Sequence, residues 1–148
     1  MNRNRLFTMG YERHSLESFF AALAKAGVQL LADVRQRASS RRPGFGKTAL
    51  SNAAAAAGIE YWHFPMLGTP STLRTRLREK ELDLGTYLNL YGQYVDEQET
   101  ALAQVEKLIN EKTCCLLCVE SDPNTCHRSV LAGRLVRRSG EQLDVRHL

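Results

Sequence analysis

Apolar residues along this chain form short continuous runs and longer segments in which they recur every three or four positions. Residues 16–26 show the longer pattern, which places four side chains on one face of a predicted helix: Leu16, Phe19, Phe20 and Leu23. Ser15 precedes this segment as a favourable N-cap, and Gly27 follows it as a left-handed stop. The segment therefore carries its own start and end signals.

The remaining pattern predicts five short strands separated by helices, the strands lying at residues 6–9, 28–32, 59–64, 113–119 and 143–146. Further helices are predicted at 47–57, 86–111 and 126–139, with a bend expected near Gly92. Residues 66–85 form a basic loop or short-helix insert, in which Ser71 starts the helix. This order predicts an α/β fold, a single three-layer α/β/α domain over residues 1–148 with a mostly parallel sheet of about five strands. It leaves the strand order open.

Composition narrows the class of protein without naming a function. The chain has 148 residues, of which 43% are hydrophobic and 24% charged, as in ordinary globular domains. No apolar run approaches the roughly 20 residues that a membrane span needs. The amino-terminal segment, residues 1–7, lacks the apolar core of a signal peptide. A cytoplasmic location without membrane contact is therefore expected, and the oligomeric state is left open.

The net charge of +4 is unevenly distributed. Residues 1–80 hold 13 Lys and Arg against 5 Asp and Glu, whereas residues 81–148 hold 7 against 11. Such an asymmetry is typical of a positive face that attracts phosphate-bearing partners. An ordinary solvated surface explains the same charges, and both interpretations stay open.

The chemistry-bearing residues follow the predicted strands. The carboxyl ends of parallel strands meet at one edge of a sheet, where ligands bind in α/β proteins. After the first strand comes Tyr11, and after the third His63. The groups that follow the second and fourth strands are larger: Asp33, Arg35, Arg41, Arg42 and Lys47, then Glu120, Cys126, His127 and Arg128. Their shared position predicts a site at this edge.

The last of these groups lies at a predicted helix start. With Asn124 or Thr125 as the N-cap, Cys126, His127 and Arg128 occupy the first turn, where free backbone N–H groups attract anions. The same position favours a thiolate, so Cys126 is a candidate nucleophile. A structural role, with Cys126 in the core and Arg128 paired to a carboxylate, is the third alternative.

The four cysteines do not form a recognisable zinc motif. Cys115 and Cys118 share a predicted strand and should point to opposite faces, which excludes a zinc knuckle. Three of the four thiols are expected to be small core residues, and neither a metal nor a cofactor is predicted. An arginine six positions after Cys118 or Cys126 would close a rhodanese or Cys-phosphatase loop, and neither is present.

Six spaced motifs resemble the domain of unknown function 488 family: Thr8-Met9-Gly10-Tyr11, Leu31-Ala32-Asp33-Val34-Arg35, Ser40-Arg41-Arg42-Pro43-Gly44-Phe45, Gly58-Ile59-Glu60-Tyr61, Cys118-x-Glu120 and Cys126-His127-Arg128-Ser129. The resemblance covers nearly the whole chain and implies an α/β domain. It implies no particular activity.

The leading hypothesis is a protein that binds a phosphate-bearing ligand, a nucleotide or a nucleic-acid end. Whether it is an enzyme stays open, and hydrolysis or transfer is the expected reaction class if it is one. Tyr11 is a candidate ligand-binding residue, and the cationic groups that would hold the oxygens of the ligand are Arg35, Arg41, Arg42, Lys47 and Arg128. Glu120, Asp33 and His127 are the candidate acid/base groups. A thiol enzyme or redox sensor using Cys126 and a non-enzymatic nucleic-acid-binding module are the alternatives.

Overall fold

A computed structural model, which describes residues 4–148, confirms the α/β fold. Residues 1–3, part of the segment in which no signal peptide is expected, lie outside the described residues. The five strands are β1 (Asn4–Gly10), β2 (Leu30–Asp33), β3 (Glu60–His63), β4 (Cys114–Cys118) and β5 (Leu143–His147). They form one parallel sheet in the order β3-β2-β4-β1-β5.

Six helices connect these strands: α1 (Leu16–Ala26), α2 (Lys47–Ala56), α3 (Ser71–Arg78), α4 (Leu84–Asp96), α5 (Glu99–Glu111) and α6 (His127–Arg138). The predicted caps of α1 are confirmed. Ser15 accepts a hydrogen bond from the backbone of Ser18, and Gly27 adopts a left-handed φ of 75°. The short helix predicted from Ser71 is confirmed as α3. No helix within residues 4–148 is long and apolar enough to cross a membrane.

Two apolar clusters cover the two faces of the sheet. On one face, α1 and α2 pack through side chains such as Phe19 and Leu50 against Leu31, Cys115 and Leu117. On the other face, α4, α5 and α6 pack against Leu30, Leu116 and their neighbours. The chain thus leaves β2 towards one face and β4 towards the other. Because β2 and β4 are adjacent, a crevice opens between their carboxyl ends.

The predicted bend near Gly92 is wrong. The helical segment breaks instead between α4 and α5, where the N–H groups of Glu97 and Gln98 donate to the last carbonyls of α4. Gly92 is buried within α4, and a Cβ there would touch the Arg134 guanidinium and Val130 of α6. The glycine therefore permits close helix packing rather than a bend.

The predicted start of α6 is also wrong by one or two residues. Residues Pro123–Thr125 form a separate 3-10 turn, which Asp122 caps by accepting from the Asn124 backbone. Cys126 occupies the N-cap position of α6 and gives no side-chain cap. Its extended backbone places its sulfur against the end of β4 rather than in the first turn.

Candidate functional site

A cavity of about 500 Å³ occupies the crevice between the ends of β2 and β4. Three segments enclose it: the loop that follows β2, the region from Thr69 through α3 to Tyr87, and the turn that follows β4. A volume of this order suits a small molecule such as a nucleotide. The cavity lies at the sheet edge where the sequence predicts a site.

Two glycines let these segments approach closely. A Cβ at Gly10, the last residue of β1, would collide with the Glu120 carbonyl. At Gly68 a Cβ would collide with the backbone of Gln36 in the loop after β2. Both positions therefore exclude larger residues, and both bring a wall of the cavity into place.

Five arginines line the cavity, against a single acidic residue, Glu120. Four of them have no ion pair within residues 4–148: Arg37, Arg41, Arg74 and Arg78. Arg74 donates to the Gln36 amide oxygen at 3.0 Å, so its position is defined without neutralising its charge. Arg74 and Arg78 lie one turn apart on α3 and therefore share a face of that helix.

The fifth arginine, Arg35, already forms an ion pair with Asp33. It is 5% exposed and donates through Nε and Nη2 to the Asp33 carboxylate at 2.8 and 2.7 Å. Its Nη1 donates to the Phe45 carbonyl, and the Tyr61 hydroxyl donates to Asp33. Burial alone would lower the pKa of Arg35, but its bonds to Asp33 outweigh that effect and raise it. The pair shapes the cavity wall, and Asp33 itself is fully buried behind it.

The loop that follows β2 is held by a stacked pair of rings. Tyr11 and Phe45 are both buried, their ring centroids lie 4.5 Å apart, and the Tyr11 hydroxyl donates to Ser40. Phe45 therefore packs beneath its own loop. Arg42 donates to the Tyr11 carbonyl at 2.8 Å and to that of Glu12. Tyr11, Arg42 and the exposed Lys47 do not line the cavity.

Arg128 is an internal clamp. It is completely buried and donates to four acceptors: Thr8 Oγ1 at 3.1 Å, Cys118 Sγ at 3.0 Å, the Glu120 carbonyl, and the Ser121 carbonyl at 3.2 Å. Burial lowers the pKa of Arg128, and no carboxylate within residues 4–148 pairs with it. Its bonds hold the turn that presents Glu120, and it does not itself line the cavity.

His127 and two cysteines meet beside this clamp. His127 lines the cavity, and its Nε2 donates to the Val34 carbonyl at 2.7 Å. Burial lowers the pKa of His127 to about 4, so the ring is neutral at pH 7 with Nδ1 unprotonated. That nitrogen lies 3.7 Å from Cys126 Sγ. The sulfurs of Cys118 and Cys126 lie at bonding distance, as in a disulfide, while their Cα atoms are 7.5 Å apart.

The burial expected of the cysteines is confirmed, since Cys114, Cys115 and Cys118 are at most 1% exposed. Cys126 is equally buried and faces Cys118, which gives no support to an accessible nucleophile at this position. The alternation of side chains along a strand predicts that Cys115 and Cys118 point to opposite faces of the sheet. It does not apply to Cys126, which lies outside that strand, so the contact between Cys118 and Cys126 was not predicted. His63 donates to the Arg35 carbonyl at 2.7 Å, as a hydrogen-bonded residue at a strand end.

Two polar groups on the cavity wall, Glu120 and Thr69, lack a full set of partners within residues 4–148. The Glu120 carboxylate is half-buried and forms no hydrogen bond or ion pair with another residue within 4–148. Burial raises the pKa of Glu120, and the nearby Glu12 adds to that rise. Thr69 Oγ1 is buried with no hydrogen bond of normal geometry. Burial raises the pKa of the neighbouring Tyr87, an effect that Thr69 partly offsets.

The structure thus brings together five of the predicted site residues at the cavity or directly behind it: Glu120, His127, Arg35, Arg41 and Asp33. Arg37, Arg74, Arg78, Thr69 and Tyr87 also line the cavity and were not among the predicted site residues. For Arg74 and Arg78, the signal was their spacing of four residues on a short basic helix.

The family described as Domain of unknown function DUF488 matches residues 15–135 of the chain. This range contains every residue that lines the cavity. No curated protein and no solved structure matches the chain.

Proposed function

The chain belongs to the family described as Domain of unknown function DUF488, and from the chemistry of its cavity we propose that it binds a phosphate-bearing ligand. The ligand class is a nucleotide or the phosphorylated end of a nucleic acid. The proposal rests on four arginines around the cavity that have no carboxylate partner within residues 4–148: Arg37, Arg41, Arg74 and Arg78.

Physical chemistry favours an anion here. A guanidinium presents several N–H donors in a planar fork that matches phosphate oxygens. Four such groups around one cavity repel each other until an anion neutralises them. The Arg35 charge is compensated by Asp33, so that pair gives the wall a fixed shape while the other arginines remain free to bind.

The rest of the lining suits the remainder of a nucleotide. The Thr69 hydroxyl is buried without a hydrogen bond of normal geometry to any residue within 4–148, and the Tyr87 hydroxyl lies on the same wall. Both can exchange hydrogen bonds with a sugar or base. A cavity of about 500 Å³ accommodates a mononucleotide and leaves a longer chain outside.

Glu120 is the proposed proton-exchanging group in a hydrolysis or transfer reaction. Among the described residues 4–148, it is the only acidic one that lines the cavity. No side chain in the described part of the chain pairs with its carboxylate and holds it in one protonation state. General acid/base catalysis needs such a group within hydrogen-bond reach of the reacting atom. Arg128 contributes by holding the Glu120 and Ser121 carbonyls, and so positions the turn.

The binding test compares two double variants with the same change in charge. R74Q/R78Q removes two cavity arginines, whereas R76Q/K80Q removes two cations from the same region that do not line the cavity. Each exposed phosphate contact is worth about 1 kcal/mol, so R74Q/R78Q should weaken calorimetric binding of a nucleoside diphosphate roughly 30-fold. R76Q/K80Q should stay within about threefold of the wild type. Equal losses in both variants would reject the cavity as the site.

Two further titrations distinguish a nucleotide from the end of a nucleic acid as the ligand. A nucleoside monophosphate and a 5′-phosphorylated oligonucleotide are compared at several salt concentrations. Binding of the oligonucleotide alone, with a steep salt dependence, would indicate a nucleic-acid-binding module rather than a nucleotide site. E120Q should retain ligand binding because it removes a negative charge that faces the phosphate. It should abolish turnover of any nucleotide that the wild type hydrolyses, and unchanged turnover would reject the role of Glu120.

A further inference from the structure

Three metal-ligating groups converge beside the cavity. The Sγ atoms of Cys118 and Cys126 and a ring nitrogen of His127 all lie within 4.8 Å of one another. Thiolate and imidazole are the donors that zinc prefers in proteins. We propose that Cys118, Cys126 and His127 bind a zinc ion. This site is separate from the arginines that carry the proposed function, and neither depends on the other.

The spacing of the backbone favours a bridging ion over a disulfide. The Cα atoms of Cys118 and Cys126 are 7.5 Å apart, beyond the 4.4–6.8 Å that disulfides usually span. Two thiolates on a tetrahedral zinc ion, each about 2.3 Å from it, lie about 3.8 Å from each other. Rotation of the cysteine side chains provides that separation while the Cα atoms stay where they are.

His127 has the support that a metal-binding histidine needs. Its Nε2 donates to the Val34 carbonyl at 2.7 Å, which leaves the lone pair of Nδ1 directed towards Cys126. The edge of the Tyr91 ring packs against the imidazole with centroids 5.0 Å apart and restricts its rotation. Metal-ligating histidines commonly donate their other ring N–H to a backbone carbonyl in this way.

Arg128 supplies the second element of support. Its Nη1 donates to Cys118 Sγ at 3.0 Å, and this bond fixes the position of that sulfur beside His127. Two thiolates neutralise the charge of Zn²⁺, so the buried site gains no net charge when the ion binds. Zinc binding then displaces the two thiol protons to solvent.

The fourth coordination position faces the cavity. Cys118 and His127 both line it, and Glu120 lies on the same wall. An open fourth position is typical of zinc ions that bind water or a substrate oxygen, whereas structural zinc ions have four protein ligands. The proposed ion is therefore placed where an oxygen of the cavity's ligand could reach it.

The test measures metal content on the full chain purified under reducing conditions without chelators. We expect about one zinc ion per chain by mass spectrometry. Replacement of that zinc by Co²⁺ should give the intense visible bands of a tetrahedral thiolate complex. C126S should lose these bands and bind Zn²⁺ roughly 100-fold or more weakly. C115A, which removes an equally buried thiol on the other face of the sheet, should keep both properties.

A second measurement uses the unmodified protein, because C126S could fail to fold. Titration of the reduced, metal-free wild type with Zn²⁺ or Co²⁺ should saturate at about one ion per chain. Absence of Zn²⁺ and Co²⁺ binding by the reduced wild type would overturn the proposal. A Cys118–Cys126 disulfide that persists in protein incubated with Zn²⁺ and reductant would overturn it as well.

Discussion

Replacing Arg128 with methionine should destabilise the protein by about 3 kcal/mol. Methionine fills much of the same space but has no N–H groups. The substitution therefore leaves the carbonyls of Glu120 and Ser121 without their donor, whereas the Thr8 hydroxyl loses one of its bonds and keeps the one to His147 Nδ1. Each buried group that loses its partner costs about 1–3 kcal/mol. Removal of the buried guanidinium charge offsets part of that loss. The total destabilisation therefore lies near the lower end of the range that the orphaned groups would give together.

The assay is urea denaturation monitored by circular dichroism, with thermal melting as a second readout. For a chain of this size, 3 kcal/mol corresponds to a fall in Tm of about 10 °C. R137M removes an exposed arginine from the same helix and should change the free energy of unfolding by less than about 0.5 kcal/mol. R128K restores a positive charge but cannot reach all four acceptors, so it should recover only part of the loss.

The stability of the free R128M and R128K variants distinguishes two roles of Arg128. If Arg128 contacts a ligand, R128K should weaken ligand binding and leave the stability of the free protein near that of the wild type. If it is an internal clamp, the free protein itself should be destabilised. A wild-type free energy of unfolding for R128M would refute the clamp, and with it the argument that Arg128 positions the Glu120 turn.

Two further pairs of variants test the packing around the cavity, both by urea denaturation. G10A should cost more than about 2 kcal/mol because its Cβ would collide with the Glu120 carbonyl, whereas G133A, in open space on α6, should stabilise by up to about 1 kcal/mol. A tolerated G10A would show that the turn is not packed against β1. Y91F should cost about 1–2 kcal/mol, because the buried Tyr91 hydroxyl donates to the Leu67 carbonyl at 2.6 Å. Y94F, which removes an exposed bond of the same kind, should cost less than about 0.5 kcal/mol, and equal costs for the two variants would contradict this reasoning.

Local pattern was sufficient for most of the fold. The caps and apolar stripe of α1 follow from residues 15–27 alone, because hydrogen bonds within a helix and its periodicity depend on near neighbours. The break between α4 and α5 was misplaced because Gly92 was interpreted by its flexibility. Its actual role, close packing against Arg134 of α6, depends on a contact that is distant in sequence.

Sequence pattern alone was sufficient to place the α/β fold and the edge of the sheet where reactive residues collect, because parallel strands bring their carboxyl ends together. It did not determine which of those residues face the cavity. Arg128 and Arg42 resemble Arg74 in the sequence, yet the first two donate to backbone carbonyls and only Arg74 lines the cavity. This difference and the meeting of Cys118, Cys126 and His127 both depend on tertiary contacts. The acceptors and partners in both cases come from segments that only folding brings into contact.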